Sequence, residues 1–193
     1  MTDLILIVLS TALINNVVVE RVIGADPALA FVRKMEVTRG LCLTMLVLLP
    51  AVAASAWLLD NWLLRPLQLE YLRLLLFVST IILVCWLLKV HIHRVNRKLA
   101  AQIQVFLPFA GINTTVLGVM LLTKETAQTF FQSLAFGIGS ALGFGLILIL
   151  LTAATERIET SDVPAPFRGL PILLISLAVL SMAFMGFNGL IRI

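Results

Sequence analysis

Apolar residues run almost without interruption near positions 4–23, 41–59, 69–90, 102–122, 130–153 and 170–190, and polar residues gather in the short intervals between them. Each run is long enough, as a helix, to cross about 30 Å of hydrocarbon. The runs are continuously apolar and lack the alternation of a barrel strand, which leaves helices to satisfy every backbone group in lipid. The pattern predicts an all-α integral membrane protein of six transmembrane helices, a single membrane domain over residues 1–193.

Two of the six runs carry polar residues at depth. The first reads "ALINNVVVERVIGADP" over 12–27, with Asn15, Asn16, Glu20 and Arg21 inside it. An ionised side chain at a helix centre costs about 2.5–3.5 kcal/mol on the insertion scale. Glu20 and Arg21 are adjacent and point about 100° apart on a helix, so their partners belong to other elements. The fourth run reads "VFLPFAGINTTVLGVMLL", in which Pro108 and Gly111 precede Asn113, Thr114 and Thr115. A Pro–Gly break followed by hydrogen-bonding side chains suits an interrupted helix whose unwound backbone is buried in protein or lines a cavity. The alternative is that these small and polar residues are interhelical glue.

Shifting the sequence by 98 residues lays "INNVV" (14–18) over "INTTV" (112–116), with three identities in five, and Pro66 over Pro164. Two halves of three helices each, about 1–98 and 99–193, would enter the bilayer from opposite sides. This predicts inverted repeats, with helices 1 and 4 broken and a functional centre between them. Asn15, Asn16, Glu20, Asn113 and Thr115 are its candidate polar or ion-path residues.

Composition agrees with a membrane protein: 61% of the 193 residues are hydrophobic and 12% charged, and mean hydropathy is +1.09. The excess of 14 Lys+Arg over 10 Asp+Glu lies at the edges of the apolar runs, which fits the positive-inside rule better than nucleic-acid binding. Arg33, Lys34, Arg39, Lys89, Arg94, Arg97, Lys98, Arg157 and Arg168 follow helices one, three and five, against Arg65, Arg73, Lys124 and Arg192 on the other side. Nine against four predicts both termini outside, periplasmic in a Gram-negative cell.

No cleavable signal peptide is expected, because "MTDLILIVLS" has no basic n-region. The chain has no HExxH, GxSxG or Walker-type loop, so it offers no hydrolytic or phosphoryl-transfer site. His91 and His93 in "KVHIHRVNRK" are read as a solvated basic loop, and the glycines of "FGIGSALGFG" (136–145) as close helix packing. Cys42 and Cys85 show no ligand spacing and are read as packing thiols.

The stretches "LINNVVV", "FLPFAGINTTVLGVMLL", "DVPAPFRG" (162–169) and "MAFMGFNGLIRI" closely resemble the membrane subunits of the bacterial Rnf (also Rsx) and Nqr electron-transport complexes, the A-type branch above all. The resemblance runs over essentially the full length. It implies a non-catalytic subunit of an ion-translocating oxidoreductase in the bacterial inner membrane. It also implies a homologous sister membrane subunit of the D/E type, other Rnf-type subunits, and coupling of electron transfer to Na⁺ or H⁺ movement. Each sister in the family contributes two cysteines from its broken helices, and four thiolates hold one [2Fe–2S] cluster.

This sequence departs from that pattern at both ligand positions. Where the family has Gly-x-Cys-Pro, residues 24–27 are Gly24, Ala25, Asp26 and Pro27, and where it has Asn-Cys, they are Asn113 and Thr114. Asp26 and Thr114 are thus the cofactor-position candidates, and iron that prefers thiolate is poorly served by a hydroxyl. Cys42 and Cys85, within helices two and three, are expected to lie away from the breaks and not to substitute. A cluster-free ion-conducting or structural subunit is the alternative function.

Overall fold

Long uncharged apolar stretches leave the backbone no hydrogen-bond partner but itself, and helices joined by short turns, with no strand, make up the residues that its computed structural model describes, 2–17, 35–95 and 97–187. Seven α-helices follow: α1 (Thr2–Leu9), α2 (Met35–Leu59), α3 (Arg73–Val95), α4 (Arg97–Ile112), α5 (Thr114–Thr126), α6 (Phe130–Glu159) and α7 (Leu170–Met185). Glu20, Arg21 and Asp26 lie outside the described residues.

Among the described residues, three continuous helices are long and apolar enough to cross a membrane: Met35–Leu64, Glu70–Arg94 and Phe130–Glu159. A fourth crossing is available to α4 and α5 together, which are bent by 64° at their junction. Leu4–Ile14 and Leu170–Met185 are shorter apolar helices. The outward faces are apolar as well: Leu75, Ile82 and Trp86 of α3 are each at least 60% exposed. Water would not tolerate so broad an apolar face, whereas lipid does.

The core is the seam between α2 and α6. Met45, Leu48, Leu49 and Val52 of α2 are buried together with Phe144, Ile147, Leu148 and Leu151 of α6. The two helices run antiparallel: the Thr38 and Thr152 hydroxyls meet at 2.8 Å, the Cys42 thiol faces the Gly145 carbonyl at 3.8 Å, and Gly137 lies under Pro50. Pro50 sits inside α2, and the missing side chain at Gly137 accommodates it; a Cβ there would come within 2.6 Å of the Pro50 Cα. Gly137, Gly139 and Gly143 of the 136–145 stretch therefore serve close packing, whereas a side chain at Gly145 would meet Cys42 at an ordinary 3.5 Å. At its start α6 is closed by a capping box: the Thr129 hydroxyl accepts from the Gln132 N–H, and Gln132 Oε1 accepts from the Thr129 N–H.

Three expectations are corrected. Pro108 and Gly111 do not interrupt the fourth segment; both lie inside α4, and the chain leaves the helix at Asn113. A proline removes one donor, but an asparagine can replace the helix bond with its own side chain, and here that substitution ends the helix. His91 and His93 are not in a loop: α3 continues through both, with their side chains exposed. The third correction concerns Cys85, which is not remote from the breaks. Its sulfur would lie 2.9 Å from a Cβ built on Gly111, two residues before Asn113.

Candidate functional site

Two helix interruptions, at Asn15 and Asn113, are separated by 113 − 15 = 98 residues, and each is built by its asparagine. After α1 the chain widens into a π turn, Ser10–Ile14. The Asn15 N–H closes that turn on the Ser10 carbonyl at 2.8 Å, and its side-chain amide donates to the Ser10 hydroxyl at 3.3 Å. With φ −94° and ψ 49°, Asn15 is no longer helical. Asn16 is buried and donates to the Ala12 carbonyl at 3.1 Å. Such turns re-satisfy backbone groups that a broken helix would otherwise leave bare.

The second interruption has a different device. Asn113 adopts an extended conformation (φ −65°, ψ 131°), and its Oδ1 accepts from the Thr115 N–H at 2.9 Å, capping α5. Its own N–H reaches back to the Ala110 carbonyl at 3.1 Å. The Nδ2 of Asn113 is buried with no hydrogen-bond partner among the described residues, as is the Ser140 hydroxyl of α6. Thr115 is buried, Thr114 is exposed, and Ile112 is 86% exposed at the point where the helix opens.

The segment around each interruption packs on a long helix distant from it in sequence. Gly139 and Gly143 of α6 receive the first: a Cβ on Gly139 would come 2.8 Å from the Val8 carbonyl, and one on Gly143 would come 2.8 Å from Asn16 Nδ2. Gly40 of α2 receives the second segment, where the Phe106 ring occupies the space a side chain would need. Asn15, Asn16, Asn113, Thr114 and Thr115 thus sit at the two breaks, whereas Glu20 and Asp26 fall outside the described residues.

The donors that the described residues offer at these breaks do not fit a [2Fe–2S] cluster. Position 114 offers a hydroxyl, Asn113 spends its carbonyl oxygen on the helix cap, and Cys85 packs against Gly111. Among the described residues no group of three or more His, Cys, Asp or Glu side chains could hold a metal ion.

A buried charge cluster lies elsewhere, at the far end of α2. Asp60 is 3% exposed and begins a second π turn, Asp60–Leu64. Its carboxylate accepts from Arg65 Nε at 3.0 Å and from Arg73 at 3.1 Å. A cavity of about 30 Å³ adjoins it, lined in part by Trp57, Thr123, Lys124 and Gln128, enough for a water. Sequence reasoning used Arg65 and Arg73 only as markers of one membrane side and overlooked Asp60. The available signal was an acid at the end of an apolar run with arginines five and thirteen residues on.

Residues 4–191 match the model of the family described as Rnf-Nqr subunit, membrane protein. The chain is 40% identical over 192 residues to the A-type chain of the ion-translocating oxidoreductase complex of Pasteurella multocida. It is 38% identical to the corresponding chain of Shigella sonnei and 37% to that of Vibrio cholerae, over 193 residues in each case. All three alignments cover the whole of both chains. A family match over nearly every residue, carried on apolar helices interrupted by paired asparagines, makes this chain a member of the Rnf-Nqr family of membrane subunits.

Proposed function

We propose that the chain is the A-type membrane subunit of an Rnf-like complex that couples electron transfer to Na⁺ or H⁺ translocation. The observation that carries this reading is its end-to-end identity with curated relatives named for an ion-translocating oxidoreductase complex. The subunit itself is non-catalytic: its helices supply a scaffold, and the redox chemistry belongs to other chains.

The six-helix inverted repeat is part of the same proposal. The 98-residue offset carries Asn15 onto Asn113, the long helix Met35–Leu64 onto Phe130–Glu159 within a few residues, and Val8 onto Phe106. Val8 packs on Gly139 and Phe106 on Gly40; shifting 139 by 98 gives 41, one residue away. Crossed packing of this kind supports a pseudo-two-fold axis through the α2–α6 seam. Charge counting favours termini on the periplasmic side of the inner membrane.

The partner at the breaks is a homologous sister membrane subunit of the D/E type. Ile112 and Thr114 are exposed where the backbone leaves the helix, and the buried Nδ2 of Asn113 beside them has no hydrogen-bond partner among the described residues. A protein surface over this face would cover the exposed turn more readily than lipid.

No cluster is assigned to this chain's own side chains, since Asp26 and Thr114 stand where the resemblance expects thiolates. A second reading follows from the same donor set: a cluster-free subunit in which Asn15, Asn16, Glu20, Asn113 and Thr115 line an ion path, because hard oxygen ligands suit Na⁺ or H⁺ better than sulfur does.

The test uses the complex purified from membranes and placed in liposomes. Supplying reduced electron donor is expected to drive Na⁺ or H⁺ uptake that disappears when this chain is omitted; coupled uptake without it would overturn the proposal. The chain purified alone under anaerobic conditions is expected to show no stoichiometric [2Fe–2S] signal by electron paramagnetic resonance, and a full signal would reverse the ligation argument. Uptake of ²²Na⁺ by liposomes holding this chain alone would favour the second reading.

A further inference from the structure

The end of α6, the loop that follows it and the first turn of α7 enclose a cavity of about 570 Å³, within the range of roughly 300–1,000 Å³ for small-molecule sites. Its walls are apolar where Ile158, Leu170, Ile172 and Leu173 line it, and two opposite charges, Glu159 and Arg168, border the same space. The cavity lies where α6 passes from an uncharged run into Glu156, Arg157 and Glu159, the depth at which a helix leaves hydrocarbon for headgroups.

The loop holds its charges in place. Arg168 Nε donates to the Val163 carbonyl at 2.8 Å, which orients the guanidinium and leaves its terminal nitrogens for another acceptor. Their one acidic neighbour among the described residues is Asp162 at 3.6 Å, whose side chain is fully exposed, so the pair is weak. Glu159 has no ion-pair partner among the described residues. Gly169, at φ +86°, makes the turn a side chain would resist, and α7 starts there without a side-chain cap. Beyond this turn α7 touches the bundle along a narrow stripe, with Leu173, Leu177 and Phe184 buried.

We propose that this cavity seats an aminophospholipid. Arg168 binds the phosphate as a charge-assisted donor, Glu159 accepts hydrogen bonds from the ammonium group, and an acyl chain follows Ile172 and Leu173 into the crevice between α6 and α7. Inorganic phosphate would satisfy only the arginine. A choline lipid has no N–H for Glu159, and a glycerol lipid sets no cation against it.

The full-length protein in nanodiscs of equal phosphatidylethanolamine, phosphatidylcholine and phosphatidylglycerol, released gently and weighed by native mass spectrometry, tests this. The expected result is one phosphatidylethanolamine per chain, retained in preference to the other two. With the charge-assisted bond to phosphate removed, Arg168→Gln should lower retention at least about tenfold. Glu159→Gln, at an exposed site that leaves the loop bonds intact, should abolish the preference for the amine without abolishing binding. Equal retention of all three lipids by the unaltered protein would overturn the proposal, as would a persistent preference in Glu159→Gln. So would displacement of the lipid by inorganic phosphate alone, or a crosslink from Ser161→Cys to another subunit in a complex that holds no lipid there.

Discussion

Replacing Gly143 by alanine puts a methyl group where the first interruption is packed. An ideal Cβ at this position would stand 2.8 Å from Asn16 Nδ2, 2.9 Å from the Ala12 carbonyl oxygen and 3.2 Å from the Ala12 Cα. Two of these atoms are backbone and cannot rotate away, and the third is half of the 3.1 Å bond from Asn16 to Ala12. Overpacking of this sort costs about 1–3 kcal/mol. Alanine also gains up to ~1 kcal/mol over glycine in helix propensity, which would mask part of the loss in a single measurement. Gly145 supplies the control on the same helix: its Cβ would meet Cys42 Sγ at 3.5 Å, an ordinary contact. The propensity gain is common to both substitutions and cancels in the difference. Gly143→Ala is therefore expected to be about 1–3 kcal/mol less stable than Gly145→Ala, roughly a 5-fold to 150-fold difference in the folded-to-unfolded ratio. Reversible unfolding in mixed micelles of rising dodecyl sulfate content, followed by tryptophan fluorescence, reads it directly. Equal stability of the two variants, or a less stable Gly145→Ala, would refute the crossed-packing argument.

Asp60→Ala strips a buried carboxylate from Arg73 and is expected to cost about 3–5 kcal/mol, whereas Arg65→Gln, at a side chain 56% exposed, should cost under about 1 kcal/mol; the same unfolding assay ranks them, and a harmless Asp60→Ala would mean that the buried ion pair does not hold this end of α2. Gly111→Ala is expected to destabilise by collision with the Cys85 sulfur, and Cys85→Ala should restore part of that loss. A double-mutant cycle with a coupling energy near zero would mean that the two residues do not touch.

Hydropathy made the class of protein and most of its helices legible, because in lipid a helix is decided by the residues within it. The offset of 98 residues was equally legible, since it needs only "INNVV" and "INTTV" side by side. Less was legible at the second break. Pro108 and Gly111 carry the stronger breaker signal, yet α4 runs through both, since one lost donor is tolerated while neighbours pack against the helix, as Cys85 does at Gly111. Asn113 ends it by offering the Thr115 N–H a side-chain oxygen, a choice between two local bonds that spacing alone does not rank.

The sequence by itself determined a membrane chain of apolar helices, the places where polar residues enter them, and the absence of cysteine at positions 26 and 114. Tertiary structure alone decided that the segment around each interruption packs on a long helix distant in sequence, that Cys85 stands beside the second break, and that Asp60 is buried between two arginines. The physical reason is range. Transfer into lipid and backbone pairing act on residues near one another in the chain, whereas Gly143 beneath Asn16 or Asp60 against Arg73 exists only once distant segments have been packed together.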